Sequence, residues 1–214
     1  MADWSFGIEW NDTPLGDYGG RMDRAWLLDQ VFQMAEERGI YIMLTLLHHG
    51  PFSTSVNPKW DQNPYNVKNG GMLKSPAVFV TNPAAKELFK QRLRYIAARW
   101  GYSPNLFAWE WWNEINWTPI GDKQLIPWSA EMAEVLAEYD PNDHLLTSSY
   151  ANGRGHQLWA SPEIDFTQQH DYSGNDPLKE FDYSLQAIRP LAPDKPILMG
   201  EQGLSAGGAD AQSL

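Results

Sequence analysis

Past Gly39 the chain runs Ile40-Tyr-Ile-Met-Leu-Thr-Leu-Leu47, a nearly unbroken apolar stretch that ends in His48-His49-Gly50. It is too short to span a membrane and lacks the alternation of a strand wetted on one face, so it predicts a strand buried on both faces in a parallel sheet. Parallel neighbours cannot be joined by a hairpin; each pair needs a crossover, normally a helix. The flanking sequence supplies such helices. From Met22 to Arg38 the residues Leu27, Leu28, Val31, Met34 and Ala35 recur at helical spacing, with Asp23 near the start and Gly39 just past the end. Asn82 and Pro83 then open a helix whose Ala85, Leu88, Phe89, Leu93, Ile96, Ala97 and Trp100 share one stripe before Gly101.

The alternation continues along the chain. Trp4 to Trp10 reads as the last residues of a strand with its exit loop, and 51–80 as a long loop leaving the strand end that carries the two histidines. Leu106 to Trp112 is a strand, Ser129 to Tyr139 a helix after a loop holding Pro119, Gly121 and Pro127, and His144 to Tyr150 a short strand. Ile164 to Gln168 is a strand, Leu178 to Leu191 a helix and Lys195 to Gly200 the last strand. Strict alternation implies α/β architecture, either a doubly wound open sheet or a (β/α)8 TIM barrel. The first would place a glycine-rich fingerprint at its first strand-to-helix turn, and no G-x-G-x-x-G is present. Polar residues instead collect at many strand ends, as in a barrel. No linker divides the chain, so 1–214 is expected to be one partial barrel domain. A complete barrel takes about 250 residues, and the elements found run from about the end of strand 2 through strand 7.

The net charge of −11 and pI near 4.8 disfavour nucleic acid and anionic membrane as partners. With no cysteine, disulfides, thiolate metal sites and a cysteine nucleophile are excluded. The histidines lack the i, i+4 or H-E-x-x-H spacing of a zinc helix, so no metal or other cofactor is expected. Neither a secretory leader nor a membrane span is visible, and a secreted or periplasmic location is expected only of a longer parent protein. Eleven tryptophans are the unusual entry in the composition, and they favour a large core, a sugar-binding cleft or both.

Successive strand ends carry His48/His49, Asn113/Glu114, Ser148/Ser149, His170/Tyr172 and Glu201. In a parallel barrel these ends share one face. Glu114 and Glu201 then face each other across its mouth, the arrangement of carboxylates that glycoside hydrolysis requires. Glu110, inside its strand, reads as a buried, paired carboxylate, and Ser148 and Ser149 lack the adjacent histidine of a serine-hydrolase triad. Trp26 and Trp100, on helices, are expected to pack into the core. Trp10, Trp60, Trp112 and Trp117 either stack on sugar or cover core.

Trp112-Asn113-Glu114, Met199-Gly200-Glu201, His170-x-Tyr172 and His48-His49 together resemble the strand-end motifs of clan A glycoside hydrolases, most closely the cellulase-type enzymes of family 5. The resemblance implies that Glu114 is the general acid/base and Glu201 the nucleophile, with Asn113 donating to the sugar 2-hydroxyl and Tyr172 bonded to Glu201. It further implies retention of configuration on a β-linked glycan, with His170 and one of His48 and His49 lining the substrate site, where Trp112 and Trp117 are expected from their position at the proposed mouth. The family's strand one, its arginine on strand two and its strand eight with an aromatic residue have no counterpart here. A non-catalytic carbohydrate-binding barrel, or one inactivated by truncation, is the other reading. An unclosed barrel leaves two strand edges bare, so the isolated 214-residue chain is expected to be unstable or to aggregate. A sharp two-state melt of that chain would refute this.

Overall fold

The computed structural model describes residues 6–151, 156–172 and 176–203. Helices α1 (Met22–Arg38), α2 (Pro83–Trp100), α3 (Asp122–Tyr139) and α4 (Pro177–Ile188) alternate with strands β1 (Ile42–His48), β2 (Leu106–Asn113), β3 (Leu145–Thr147), β4 (Ser149–Ala151), β5 (Thr167–Asp171) and β6 (Ile197–Gln202). All strand pairs are parallel, in the orders β1-β2-β3 and β4-β5-β6. Among the described residues no helix is long and apolar enough to cross a membrane.

The expected strand from His144 to Tyr150 is two strands, broken at Ser148. Its first half pairs with β2 through Ala108, Trp109 and Glu110, and its second half pairs with β5. At the break the hydroxyls of Ser148 and Ser149 donate to the Trp112 carbonyl at 3.1 and 3.4 Å, standing in for ladder bonds. Strand β1 starts two residues later than the apolar run because the end of α1 claims Ile40. Gly39 takes a left-handed conformation, and the Ile40 N–H turns back to the Ala35 carbonyl at 2.9 Å.

Helix α3 begins at Asp122, not Ser129, and contains Pro127. A proline there leaves the carbonyl one turn earlier without its bond, a cost of about 3 kcal/mol, offset by the burial of Leu125, Trp128 and Met132 on the inner face. Residues 6–10 form no strand, and Trp4 and Ser5 lie outside the described residues. The segment is nevertheless anchored: Arg21 donates to the Gly7 carbonyl at 3.0 Å, and buried Glu9 pairs with Arg92, which also donates to the Leu46 carbonyl of β1.

Indoles dominate the core. Trp100, Trp109, Trp111, Trp112, Trp128 and Trp159 are all buried. Several have polar ends satisfied at once: Trp100 donates to Asp29, Trp109 to Asp140, Trp111 to Ser129 and Trp159 to the Ser148 carbonyl. Trp26 departs from expectation. It sits 57 % exposed on the outer side of α1 and does not pack into the core.

Candidate active site

Glu114 follows directly on β2 and takes a left-handed backbone conformation, φ 56° and ψ 49°, which non-glycine residues rarely adopt. Such strain persists only where the surroundings enforce it. Here the Glu114 N–H donates to the Ser149 hydroxyl at 3.0 Å and its carbonyl accepts from the Trp117 N–H at 3.0 Å. Ser149, at the start of β4, thus holds the backbone that aims a carboxylate, a role with no need of a neighbouring histidine.

His170 and Glu201 come together through the ladder between β5 and β6, where they are paired residues just past a register shift at Gln169/His170. A bulge of this kind re-aims side chains at a strand end. His170 is buried; its Nδ1 lies 3.2 Å from Glu114 Oε1 and 3.6 Å from Glu201 Oε2. Tyr172 donates its hydroxyl to Glu201 Oε2 at 2.9 Å, and that bond, with some desolvation, pushes the phenol up to about 12. Below that pH Tyr172 keeps its proton and remains a donor.

The geometry distinguishes the two adjacent histidines. His49 Nδ1 lies 3.3 Å from Glu114 Oε2, whereas His48 Nδ1 accepts from the Gly50 N–H. Burial holds the His49 pKa below the ordinary imidazole value, opposed by the Glu114 carboxylate, so at neutral pH His49 is uncharged. His48 turns into a groove of about 520 Å³ that it lines with His49, Gly50, Asn57, Pro58 and Lys59. Asn113, paired with His48 in the ladder, is half-buried beside Glu114, as is Trp117 in the turn that follows.

Trp112 corrects the sequence reading. Its ring is 0 % exposed and packs 4.9 Å from Phe52, 5.7 Å from Phe79 and 5.8 Å from Trp128, so it is a core residue and no sugar ring can reach it. Two contributors escaped the sequence reading. Gln168 lies two residues before His170 on β5 and touches its ring, and the Asn116 side chain bonds both the N–H and the carbonyl of Ala151, tying the Glu114 turn to β4. Period-two counting back from His170 is the one signal that points to Gln168.

One donor atom each from Glu114, His170 and Glu201 falls within 4.8 Å of the others. Among the described residues, these are the ones that could offer a metal ion three ligands. Coordination would need all three atoms to converge at about 2.0–2.2 Å on one point, which would displace the imidazole now hydrogen-bonded to Glu114.

The family model described as cellulase (glycosyl hydrolase family 5) matches residues 7–212. The chain belongs to glycosyl hydrolase family 5. Its family 5 relatives include the mannan endo-1,4-beta-mannosidase F of Aspergillus fumigatus, 25 % identical over 203 residues that make up 83 % of this chain and 43 % of that protein. The mannan endo-1,4-beta-mannosidase A of Podospora anserina is 27 % identical over 124 residues, 56 % of this chain and 30 % of that one. The chain therefore spans less than half the length of these curated relatives. Among solved structures, an endo-beta-1,4-mannanase from Thermotoga petrophila superposes with a TM-score of 0.61 at 20 % identity, over 83 % of this chain and 45 % of that one. This likeness speaks for the fold alone, and the parallel α/β arrangement of this family 5 chain is consistent with part of a (β/α)8 barrel.

Proposed function

We propose that the protein carrying this chain is a retaining glycoside hydrolase acting on a β-1,4-linked mannan, with Glu114 as general acid/base and Glu201 as nucleophile. The observation that carries the reading is the carboxylate pair: one oxygen of Glu114 and one of Glu201 lie within 4.8 Å of each other and of a His170 ring nitrogen. Carboxylates about 5–5.5 Å apart leave no room for a water between the base and the sugar, whereas inversion needs about 6.5–9.5 Å. In the first step protonated Glu114 gives its proton to the glycosidic oxygen while a Glu201 oxygen bonds to the anomeric carbon and the leaving sugar departs. In the second, Glu114 takes a proton from water, the water oxygen bonds to that carbon, and the Glu201 ester is released.

The surroundings suit these roles. Glu201 has a 42 % exposed side chain, and its Oε2 receives the Tyr172 hydroxyl, which steadies an anionic nucleophile. Glu114, 14 % exposed, lies between His49 and His170, which fix where its proton can go. The mannan-directed names of the fungal relatives support the substrate class. On this reading β1, β2, β3 with β4, β5 and β6 correspond to strands three to seven of the barrel.

The test is the anomer first formed when the full-length protein cleaves β-1,4-mannan oligosaccharides, followed by proton NMR before mutarotation. The β anomer is expected. An α anomer formed first would overturn the double displacement, and binding without cleavage would leave a carbohydrate-binding barrel.

A further inference from the structure

Behind the carboxylate pair lies a second buried acid that the proposed chemistry does not use. Glu110, 1 % exposed, projects from the middle of β2. Its Oε2 accepts from the Thr45 hydroxyl and its Oε1 accepts from Gln168 Nε2 at 3.0 Å. Gln168, itself 1 % exposed, brings the same nitrogen to 3.2 Å from His170 Nε2. An amide nitrogen has two hydrogens and no lone pair to offer, so one hydrogen goes to the acid and the other to the ring. The ring nitrogen that receives it must carry a lone pair. A further feature protects this placement: a Cβ on Gly200 would stand 2.9 Å from Gln168 Cγ and 3.0 Å from its Nε2, so the glycine preceding Glu201 leaves the space that the amide fills.

We propose that Gln168, anchored by Glu110 and given room by Gly200, is a positioning residue that holds His170 as the neutral imidazole with its single proton on Nδ1. Glu114 from the end of β2 and Glu201 from β6 face His170 Nδ1; His49, from the turn after β1, lies across Glu114; Tyr172, just past the end of β5, holds Glu201. Two carboxylates draw an imidazole towards imidazolium. An imidazolium would in turn stabilise Glu114 as carboxylate and take away the acid that the first step needs. The neutral ring donates one hydrogen to the carboxylates and leaves Glu114 free to carry its own. Burial raises the pKa of Glu110, opposed by the Ser149 and Thr45 hydroxyls, and in either protonation state Oε1 remains an acceptor for the amide.

The kinetic part of this inference rests on Glu114 being the catalytic acid; the tautomer does not, and the two are read separately. Nitrogen-15 NMR of the full-length protein is expected to show His170 with a protonated-type Nδ1 and a lone-pair-type Nε2 at neutral pH. In Gln168→Met, which keeps the shape and removes the donor, that pattern should be lost and kcat on mannan should fall roughly 10–100-fold with little change in KM. Gly200→Ala should disturb the same two signals without altering the amide. Gln168→Glu should make His170 an imidazolium and move the alkaline limb of the kcat/KM profile to lower pH. A wild-type spectrum with Nε2 protonated overturns the proposal whether or not any variant folds, as does an unchanged spectrum in Gln168→Met. If the tautomer is found and is lost in Gln168→Met while the wild type cleaves no glycan, the positioning role stands and the hydrolase reading fails.

Discussion

Replacing Glu201 by alanine in the full-length protein is expected to lower kcat on β-1,4-mannan by on the order of 10⁴-fold or more while KM stays near the wild-type value. The expectation follows from what the side chain touches. Its Oε2 receives the Tyr172 hydroxyl at 2.9 Å and sits 3.6 Å from His170 Nδ1, so two side chains converge on one oxygen. Neither neighbour can attack an anomeric carbon in its place, because a phenol released from Glu201 still holds its proton at neutral pH and the His170 nitrogen on that side faces Glu114. The rest of the site is left in place, which is why the loss is expected in kcat. Alanine also leaves space on the face where the carboxylate stood. A small anion such as azide should enter there, restore part of the turnover with activated substrates, and yield an α-glycosyl azide. Turnover equal to wild type would end the assignment, and a β-glycosyl azide would move the nucleophile elsewhere.

What the sequence made legible depended on whether the signal was local. Glu114 and Glu201 could be read because each ends an apolar run, and parallel strands carry such ends to one face whatever the detailed packing. Trp112 could not be read that way. An indole beside a strand-end carboxylate looks like a sugar platform, and only Phe52, Phe79 and Trp128, brought in from a loop and a helix, turn it into core. Between His48 and His49 the choice rests on the chain entering a tight turn at His49, φ −61° and ψ −40°, which turns the second ring to Glu114. Periodicity does not report a turn of that kind. The start of α3 was hidden by Pro127, since proline argues against a helix interior and tertiary burial overrode it. The left-handed backbone of Glu114 left no trace either, because nothing in a glutamate announces φ above zero. Glu110 could be read as a buried, paired acid from its place inside a strand, but its partner Gln168 could not, because the pairing exists only between β2 and β5.

Glu114→Gln should separate substrates by their leaving groups, and this carries the acid/base assignment further than loss of activity alone. The variant keeps the side chain's shape between His49 and His170 and keeps the turn held by Ser149, but has no proton to give. Cleavage of mannan, whose departing alkoxide needs that proton, is expected to slow about 10²–10⁴-fold. An aryl β-mannoside with an acidic phenol leaves unaided, so the first step should stay fast and a burst of phenol should precede a slow steady state. That slow state follows because the same carboxylate, as base, no longer activates the water that releases Glu201. Azide needs no base, so it should accelerate this second step and give a β-glycosyl azide, the opposite anomer to that expected from Glu201→Ala. Equal slowing of mannan and aryl mannoside, with no burst and no azide effect, would mean that Glu114 shapes the site without passing a proton, and the acid would have to be sought elsewhere.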